Sequence, residues 1–466
     1  MMNKLRLTGK QHAALARHLL PEDGCEAAAV ALCGRQTGAG GETLLVHNLV
    51  MIPYERCSVR SPDSLVWPVE DILPLVEKAA KKDLAVVKFH SHPGGYPEFS
   101  SQDDRSDREF FSSVYGWMDS DNPHGSAVML PDGRLFGRFV LPCGTFAPMD
   151  RIAVAGDDML FWDYGQPMPF AQGKELLRQI QLFGEGTVHR LRRLCVAVIG
   201  CSGTGSIVIE QLARLGVGKM VLIDHDIVEA KNLNRILNAT ADDVEHGRKK
   251  VEIAKRAIES FGLGTQVVTI AENLITPATV RAVAACDLAF GCMDGAEGRH
   301  VLNRLAAFYL LPYFDLGVRL DADGHGGIDQ VCGSVHYLQP DGSGLLERSV
   351  YTMEDVRAEG MLRTAPEMYH RQVKEGYIKG VVVDRPAVIS VNMLIASLAV
   401  NEFLARLHPY RLYSSGDFAA QTMSLSQGEF YKDGDGVPSQ MFARHVGRGD
   451  TKLLLDMPDL TEPGGG

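Results

Sequence analysis

Apolar and polar positions fall into two different rhythms along the chain. Over the first 150 residues, short apolar runs at 27–32, 43–51, 84–89, 127–130 and 135–140 are separated by turn-forming stretches, a pattern that predicts strands of a compact α+β domain. From Leu194 onward, strand-like runs are each followed by a segment of helical spacing. Residues 194–199 read as a buried strand, a glycine loop follows, and 207–215 has helical periodicity closed by Gly216. Further strands are expected at 220–223, 266–270, 288–292 and 312–316 with helices between them, the signature of a doubly wound parallel sheet. The long apolar run 386–404 is interrupted by Asn392, Asn401 and Glu402, so it predicts a packed helix rather than a membrane span.

These rhythms divide the chain into an α+β domain at 1–150, a connector at 151–172 rich in Gly, Pro and Asp, a Rossmann-like α/β domain at 173–412, and a C-terminal tail at 413–466 with little periodicity. The closing Gly464-Gly465-Gly466 reads as a flexible end rather than a modifier tail. A length of 466 residues suits two or three domains. A net charge of −11 argues against a general polyanion binder, so nucleic acid is not an expected partner. Nine cysteines without a Cys-x-x-Cys pair read as reduced, mostly buried thiols, and residues 1–20 lack the apolar core of an export signal. The expected location is the cytoplasm.

The first domain contains His90-Ser91-His92-Pro93 followed by Ser100-Ser101-Gln102-Asp103. Alternation along a strand puts both imidazoles on one face, and Asp103 at the start of a following helix adds an oxygen. Three N/O ligands leave the fourth tetrahedral position of a zinc ion for water, as in catalytic sites. A bare His-x-His would more simply cap a sheet; the added Ser and Asp point to metal. This spacing resembles the JAMM (MPN-plus) metallopeptidases over about residues 10–145. The resemblance implies that His90, His92 and Asp103 bind zinc, that Ser100 helps to stabilise the tetrahedral oxyanion, and that an upstream glutamate deprotonates water. Glu26, which opens the run 27–32, is the candidate base, with Glu22 in a turn-like Pro-Glu-Asp-Gly as the alternative.

In the second domain, Gly200-Cys201-Ser202-Gly203-Thr204-Gly205-Ser206 follows a strand and opens a helix, where backbone amides can approach phosphates. Asp224 ends the second strand and can take ribose hydroxyls, so these two features alone fit a nicotinamide dehydrogenase equally well. The residues that follow separate the readings: Asp226, Asn232-Leu233-Asn234-Arg235, Gly247-Arg248-Lys249-Lys250, and Cys292-Met293-Asp294 with Arg299 and Asn303. Together with Arg178-Gln179-Ile180, they resemble the adenylation domain of the ThiF and ubiquitin-activating enzymes over about residues 170–410. The resemblance implies that Gly200, Gly203 and Gly205 line the ATP phosphates, that Arg235, Lys250 and Arg178 contact them, and that Asn232 orients them. It also implies that Asp224 binds ribose and Asp294 holds magnesium. Taken alone, Arg299 and Asn303 read as readily as helix caps or helix pairs as they do as site residues. Ser202 replaces a family glycine, Gly295 stands where Asn is usual, and no cysteine follows Cys332, where thioester-forming relatives carry theirs.

The expectation is a bifunctional enzyme. With ATP and magnesium it adenylates the C-terminal glycine of a ubiquitin-like protein, and through zinc it processes or removes that modifier. The alternative substrate is a sulfur-carrier protein in thiocarboxylate formation; a dehydrogenase and a non-catalytic scaffold are the other rivals. Partners are the modifier and, where one exists, a conjugating enzyme. Because relatives place the equivalent of Arg178 in the partner subunit's site, a homodimer is expected.

Overall fold

The computed structural model describes residues 2–38, 41–118, 120–164, 174–381 and 386–460. Among these described residues two compact units emerge, one formed by those up to 164 with 308–310 and 444–455, the other by those in 174–307, 311–443 and 456–460.

In the first unit, β1 (Lys4–Thr8) leads into α1 (Gly9–Leu19), capped by Thr8 and Gln11. Strands β2 (Ala28–Gly38) and β3 (Gly41–Met51), the small hairpin β4 (Val59–Ser61) and β5 (Ser64–Val66), helix α2 (Leu73–Lys82), β6 (Ala85–Ser91) and α3 (Ser101–Trp117) follow. Strands β7 (His124–Met129), β8 (Leu135–Val140), β9 (Phe146–Pro148), β10 (Arg151–Ala155) and β11 (Met159–Asp163) complete a nine-stranded sheet ordered β11-β10-β1-β3-β2-β6-β7-β8-β9. Central β6 is buried on both faces. Its Val87 and Phe89 pack with Leu15 and Leu19 of α1, whereas Val86 packs with Val76 of α2 and Phe111 of α3. Strand alternation therefore turns Lys88 and His90 toward the α2–α3 side.

The expected connector at 151–172 is corrected over its described part: β10 and β11 are sheet strands. Arg151, which opens β10, is fully buried and paired with Asp163, and the strand it starts is only five residues long. The rest of the connector and Gly464–Gly466 lie outside the described residues.

The second unit opens with α4 (Leu177–Arg193), followed by β12 (Cys195–Ile199), α5 (Gly203–Arg214), β13 (Lys219–Ile223), α6 (Ala241–Glu245), α7 (Lys250–Phe261), β14 (Gln266–Ile270), α8 (Pro277–Ala284), β15 (Leu288–Gly291) and α9 (Ala296–Tyr309). Then come β16 (Tyr313–Ala322), β17 (Ile328–Leu338), α10 (Met353–Thr364), α11 (Pro366–Lys374), α12 (Ile389–Leu407), β18 (Ala420–Ser424) and β19 (Glu429–Asp433). The sheet order is β14-β13-β12-β15-β16-β17-β18-β19, with parallel pairing from β14 to β16 and antiparallel pairing beyond. The expected doubly wound sheet is present, and its order reverses between β12 and β15, the switch point where such folds bind ligands. The expected tail at 413–466 is corrected as well. It contributes β18 and β19, and residues 444–455 belong to the first unit. Exposed along its whole length, β19 has no buried face to generate an alternating pattern.

Helix α12 is the one described helix long and apolar enough to cross a membrane, yet most of it is buried, packed against α5, β16 and β17. Its Glu402 accepts hydrogen bonds from Arg406 (2.5 Å), Gln421 (2.5 Å) and Arg411. Removing one partner of a buried charge cluster leaves the others uncompensated. Glu402→Ala should therefore lower the stability of this unit by about 3 kcal/mol in denaturant unfolding; a loss below about 1 kcal/mol would show that solvent reaches the cluster.

Candidate functional site

The first candidate site lies where β6 ends. His90 Nε2 and His92 Nε2 are 3.2 Å apart, and Asp103 offers Oδ1 at 3.0 Å from His90 and Oδ2 at 3.4 Å from His92. Ligand atoms about 2.1 Å from a tetrahedral zinc stand about 3.4 Å from one another, so the triad has the spacing and the N,N,O donor set that such an ion accepts. The His92 ring is held by Nδ1 donating to the Tyr96 carbonyl at 2.8 Å, which leaves Nε2 as the lone-pair atom facing the site. Burial lowers the His90 pKa. Burial opposes ionisation of Asp103, but its contacts with the His90 and His92 rings and the hydrogen bond from Ser100 outweigh it and hold the carboxyl well below the usual range.

Ser100 is the N-cap of α3. Its Oγ accepts from the Asp103 amide (3.1 Å) and donates to Asp103 Oδ2 (2.7 Å). The hydroxyl proton expected to stabilise an oxyanion is thus used to orient Asp103.

Glu26 precedes β2, where Ala28 pairs with His90 in antiparallel register. Continuing that register sets Glu26 opposite His92. Burial pushes its carboxyl up to about 7, with His92 opposing the shift and the Asp103 charge adding to it. Glu22 is exposed in a turn. Sequence reasoning missed the buried cluster of Lys88, Asp107 and Arg138 beside the triad. The one available signal was Lys88, two residues before His90 and hence on the same strand face.

The second site forms at the sheet's switch point. Gly200 has φ +91°, and a Cβ on Gly205 would overlap the Gly200 carbonyl oxygen. Glycine is required at both positions. A Cβ on Gly203 would press on the Asn392 amide. Ser202, where the family has glycine, makes no side-chain cap bond to α5, so the amides at this helix start stay open to an anion.

Asp224 is buried, with Oδ2 accepting from the Cys201 amide (2.8 Å) and Oδ1 from the Asp226 amide (2.9 Å). Buried Lys250 donates to Asp226 Oδ2 at 2.7 Å. Asn232 is buried, with Oδ1 accepting from the Glu229 amide at 3.0 Å. Arg235, half-buried, donates to the Lys231 carbonyl at 2.6 Å. Asp294 lines a cleft of about 200 Å³ with Arg299, Tyr351, Glu359 and Lys379.

Arg178 stays outside this cluster within its own chain: it is exposed on the first turn of α4 and hydrogen-bonds to Gln181. Arg299 and Asn303 are neither caps nor helix pairs. Arg299 is buried against Asp315 (3.1 Å), and Asn303 Oδ1 accepts from the Leu345 amide (2.7 Å). Burial drives the thiols of Cys201 and Cys292 well up, as expected of inert core residues.

A glycine loop and an acidic loop facing one another across a doubly wound switch point define a nucleotide-binding α/β protein. The ThiF family model matches residues 176–430, more than half of the chain, and the chain belongs to this family of E1-like adenylyltransferases. Residues 9–130 match the prokaryotic homologs of the JAB domain. Among curated relatives, ubiquitin-like modifier-activating enzyme 5 of Culex quinquefasciatus is 29% identical over 161 residues, covering 33% of this chain and 38% of that protein. The Drosophila willistoni enzyme of the same name is 31% identical over 164 residues, covering 33% and 38%. The chain thus spans less than two fifths of these relatives. Among solved structures, E. coli MccB with ATP shares 19% identity with a TM-score of 0.43, covering 57% of this chain and 73% of that one. The microcin C7 biosynthetic enzyme MccB with N-formylated MccA shares 20% with a TM-score of 0.45, over the same shares.

Gly205→Ala should weaken ATP binding at least tenfold in calorimetric titration, because the loop cannot close over its own carbonyl. Ser202→Ala should bind ATP within about twofold of the wild type, since no cap bond is lost. Equal affinity for Gly205→Ala would show that this loop does not carry the phosphates.

Proposed function

We propose that the chain is a bifunctional enzyme that adenylates the C-terminal glycine of a ubiquitin-like protein with ATP and hydrolyses the peptide or isopeptide bond at that same glycine. The observation that carries the reading is the presence, in one chain, of a complete histidine–histidine–aspartate triad and a complete glycine-loop crevice.

In the adenylation step, the substrate carboxylate attacks the α-phosphate of ATP, forming an acyl-adenylate and releasing pyrophosphate. Both reactants are anions, so cations must offset their repulsion. Arg235 and Lys250 supply positive charge from this chain, Lys250 by exchanging its partner Asp226 for phosphate. Asn232, with Oδ1 committed to the Glu229 amide, has its Nδ2 for a phosphate oxygen. Asp224 presents carboxylate to the ribose, and Asp294 would hold magnesium, which supplies further charge neutralisation when bound. Arg178, exposed and bonded only to Gln181 among the contacts above, would serve the site of a second copy in a homodimer.

In the hydrolytic step, His90, His92 and Asp103 would hold zinc, which supplies Lewis acidity for the scissile carbonyl. Glu26, half-buried and facing the triad, takes the proton of the attacking water and returns it to the leaving amine. Ser100 keeps Asp103 in place. The nine cysteines are free thiols, in keeping with a cytoplasmic protein. A sulfur-carrier protein remains the second reading of the substrate, favoured by the absence of any cysteine after Cys332.

Glu26→Gln should retain about one zinc per chain by metal analysis, lose cleavage of a modifier fusion by at least a hundredfold, and leave ATP–pyrophosphate exchange unchanged. Normal cleavage by this variant would remove Glu26 as the base. Arg178→Ala and Asp294→Ala should each abolish exchange alone. Mixed with random reassortment, they should recover about a quarter of wild-type exchange, since half the dimers are mixed and each carries one intact site. Inactive mixtures containing proven mixed dimers would place Arg178 in its own chain's site.

A further inference from the structure

Helix α3 carries Asp103 and strand β6 carries His90, so the triad's geometry depends on what fixes the helix to the sheet. The N-cap at Ser100 orders the helix start but does not tie it to β6. That link is made by charges. Lys88, on the His90 face of β6, forms an ion pair with Asp107 and donates to Ser106 Oγ at 3.1 Å. Asp107, fully buried one turn beyond Asp103, also accepts from Arg138 Nε (3.1 Å) and Nη2 (2.7 Å), while Arg138 Nη1 reaches Asp104 Oδ1 at 2.5 Å. The same guanidinium lies between two aromatic rings, 3.7 Å from the centroid of Phe99 and 3.6 Å from that of Phe146. Phe99 immediately precedes Ser100 and packs edge-on against Phe136. One buried arginine therefore grips both the loop entering α3 and the first two turns of the helix, on either side of the Ser100–Asp103 cap.

We propose that Arg138, acting through Asp104, Asp107 and Phe99, is a positioning residue for the metal triad: it sets the distance of the Asp103 carboxylate from the two imidazoles and thereby the affinity and geometry of the ion. The inference rests on the zinc reading of the triad. Lysine at 138 would keep one charge but could neither bridge two carboxylates nor stack flat between two rings. The helix start would then be tied less firmly to the sheet, and Asp103 would lose its fixed separation from His90 and His92.

The test uses the full chain. Zinc affinity is measured by competition with a chromogenic chelator for the wild type, Arg138→Lys and Asp104→Asn, each normalised to its folded fraction, and metal-free melting temperatures are recorded alongside. Arg138→Lys should bind zinc at least about tenfold more weakly, the size of effect that outer-sphere partners of metal ligands exert. Asp104→Asn, a half-exposed site that leaves the fold intact, should show a smaller loss in the same direction. With Co(II) in place of zinc, the visible bands that report tetrahedral coordination should weaken or shift in Arg138→Lys. A purely structural role would lower the melting temperature while leaving normalised affinity and the Co(II) spectrum unchanged, and that result overturns the proposal. Failure of the wild type to bind zinc overturns the metal reading itself and this inference with it; wild-type binding with unaltered Arg138→Lys overturns this inference alone.

Discussion

Groups that repel one another are held together at both candidate sites, and that constraint shapes the architecture around them. In the first unit, two imidazole lone pairs and a carboxylate converge within 3.0–3.4 Å. Desolvating such a set is costly unless a cation sits among them. In the second unit, the proposed adenylation would bring a carboxylate to a triphosphate, and the crevice offers a helix start left uncapped at Ser202 and a buried Lys250 paired to Asp226.

Both units solve the problem with the same tools. A strand end presents the reactive atoms, a helix N-terminus faces them, and buried ion pairs hold helix to strand. In the first unit these parts are β6, the α3 cap and the Lys88–Asp107–Arg138 cluster. In the second they are β12 with the glycine loop, α5, and the Arg299–Asp315 pair beside β15. Arg299 joins α9 to β16, Tyr313 donates to the same Asp315 oxygen at 2.6 Å, and the acidic loop carrying Asp294 lies between β15 and α9 in the chain.

Much of this was legible in the sequence because it follows from local rules. His90 and His92 had to share a face by strand alternation, Ser100 and Asp103 carried the spacing of a capping box, and the strands flanking the glycine loop were continuous apolar runs. What escaped did so for physical reasons. β10 is only five residues long within a stretch rich in Gly, Pro and Asp, and β19 is exposed on every residue. The partners Arg138 and Asp107 are 31 residues apart and Arg299 and Asp315 are 16 apart, so no periodicity links them. Ser100 was assigned by resemblance to an oxyanion, whereas its proton is bonded to Asp103.

Two separate chemistries are proposed for two separate sites in one chain, and hydrogen–deuterium exchange of the full protein tests that separation. Zinc should protect amides around Glu26, His90–His92 and Ser100–Asp103 and leave the second unit unchanged. ATP with magnesium should protect Gly200–Ser206, Asp224–Lys250 and the Cys292–Asp294 loop and leave the triad unchanged. Protection by zinc elsewhere than the triad, or no protection of the glycine loop by ATP, would contradict it.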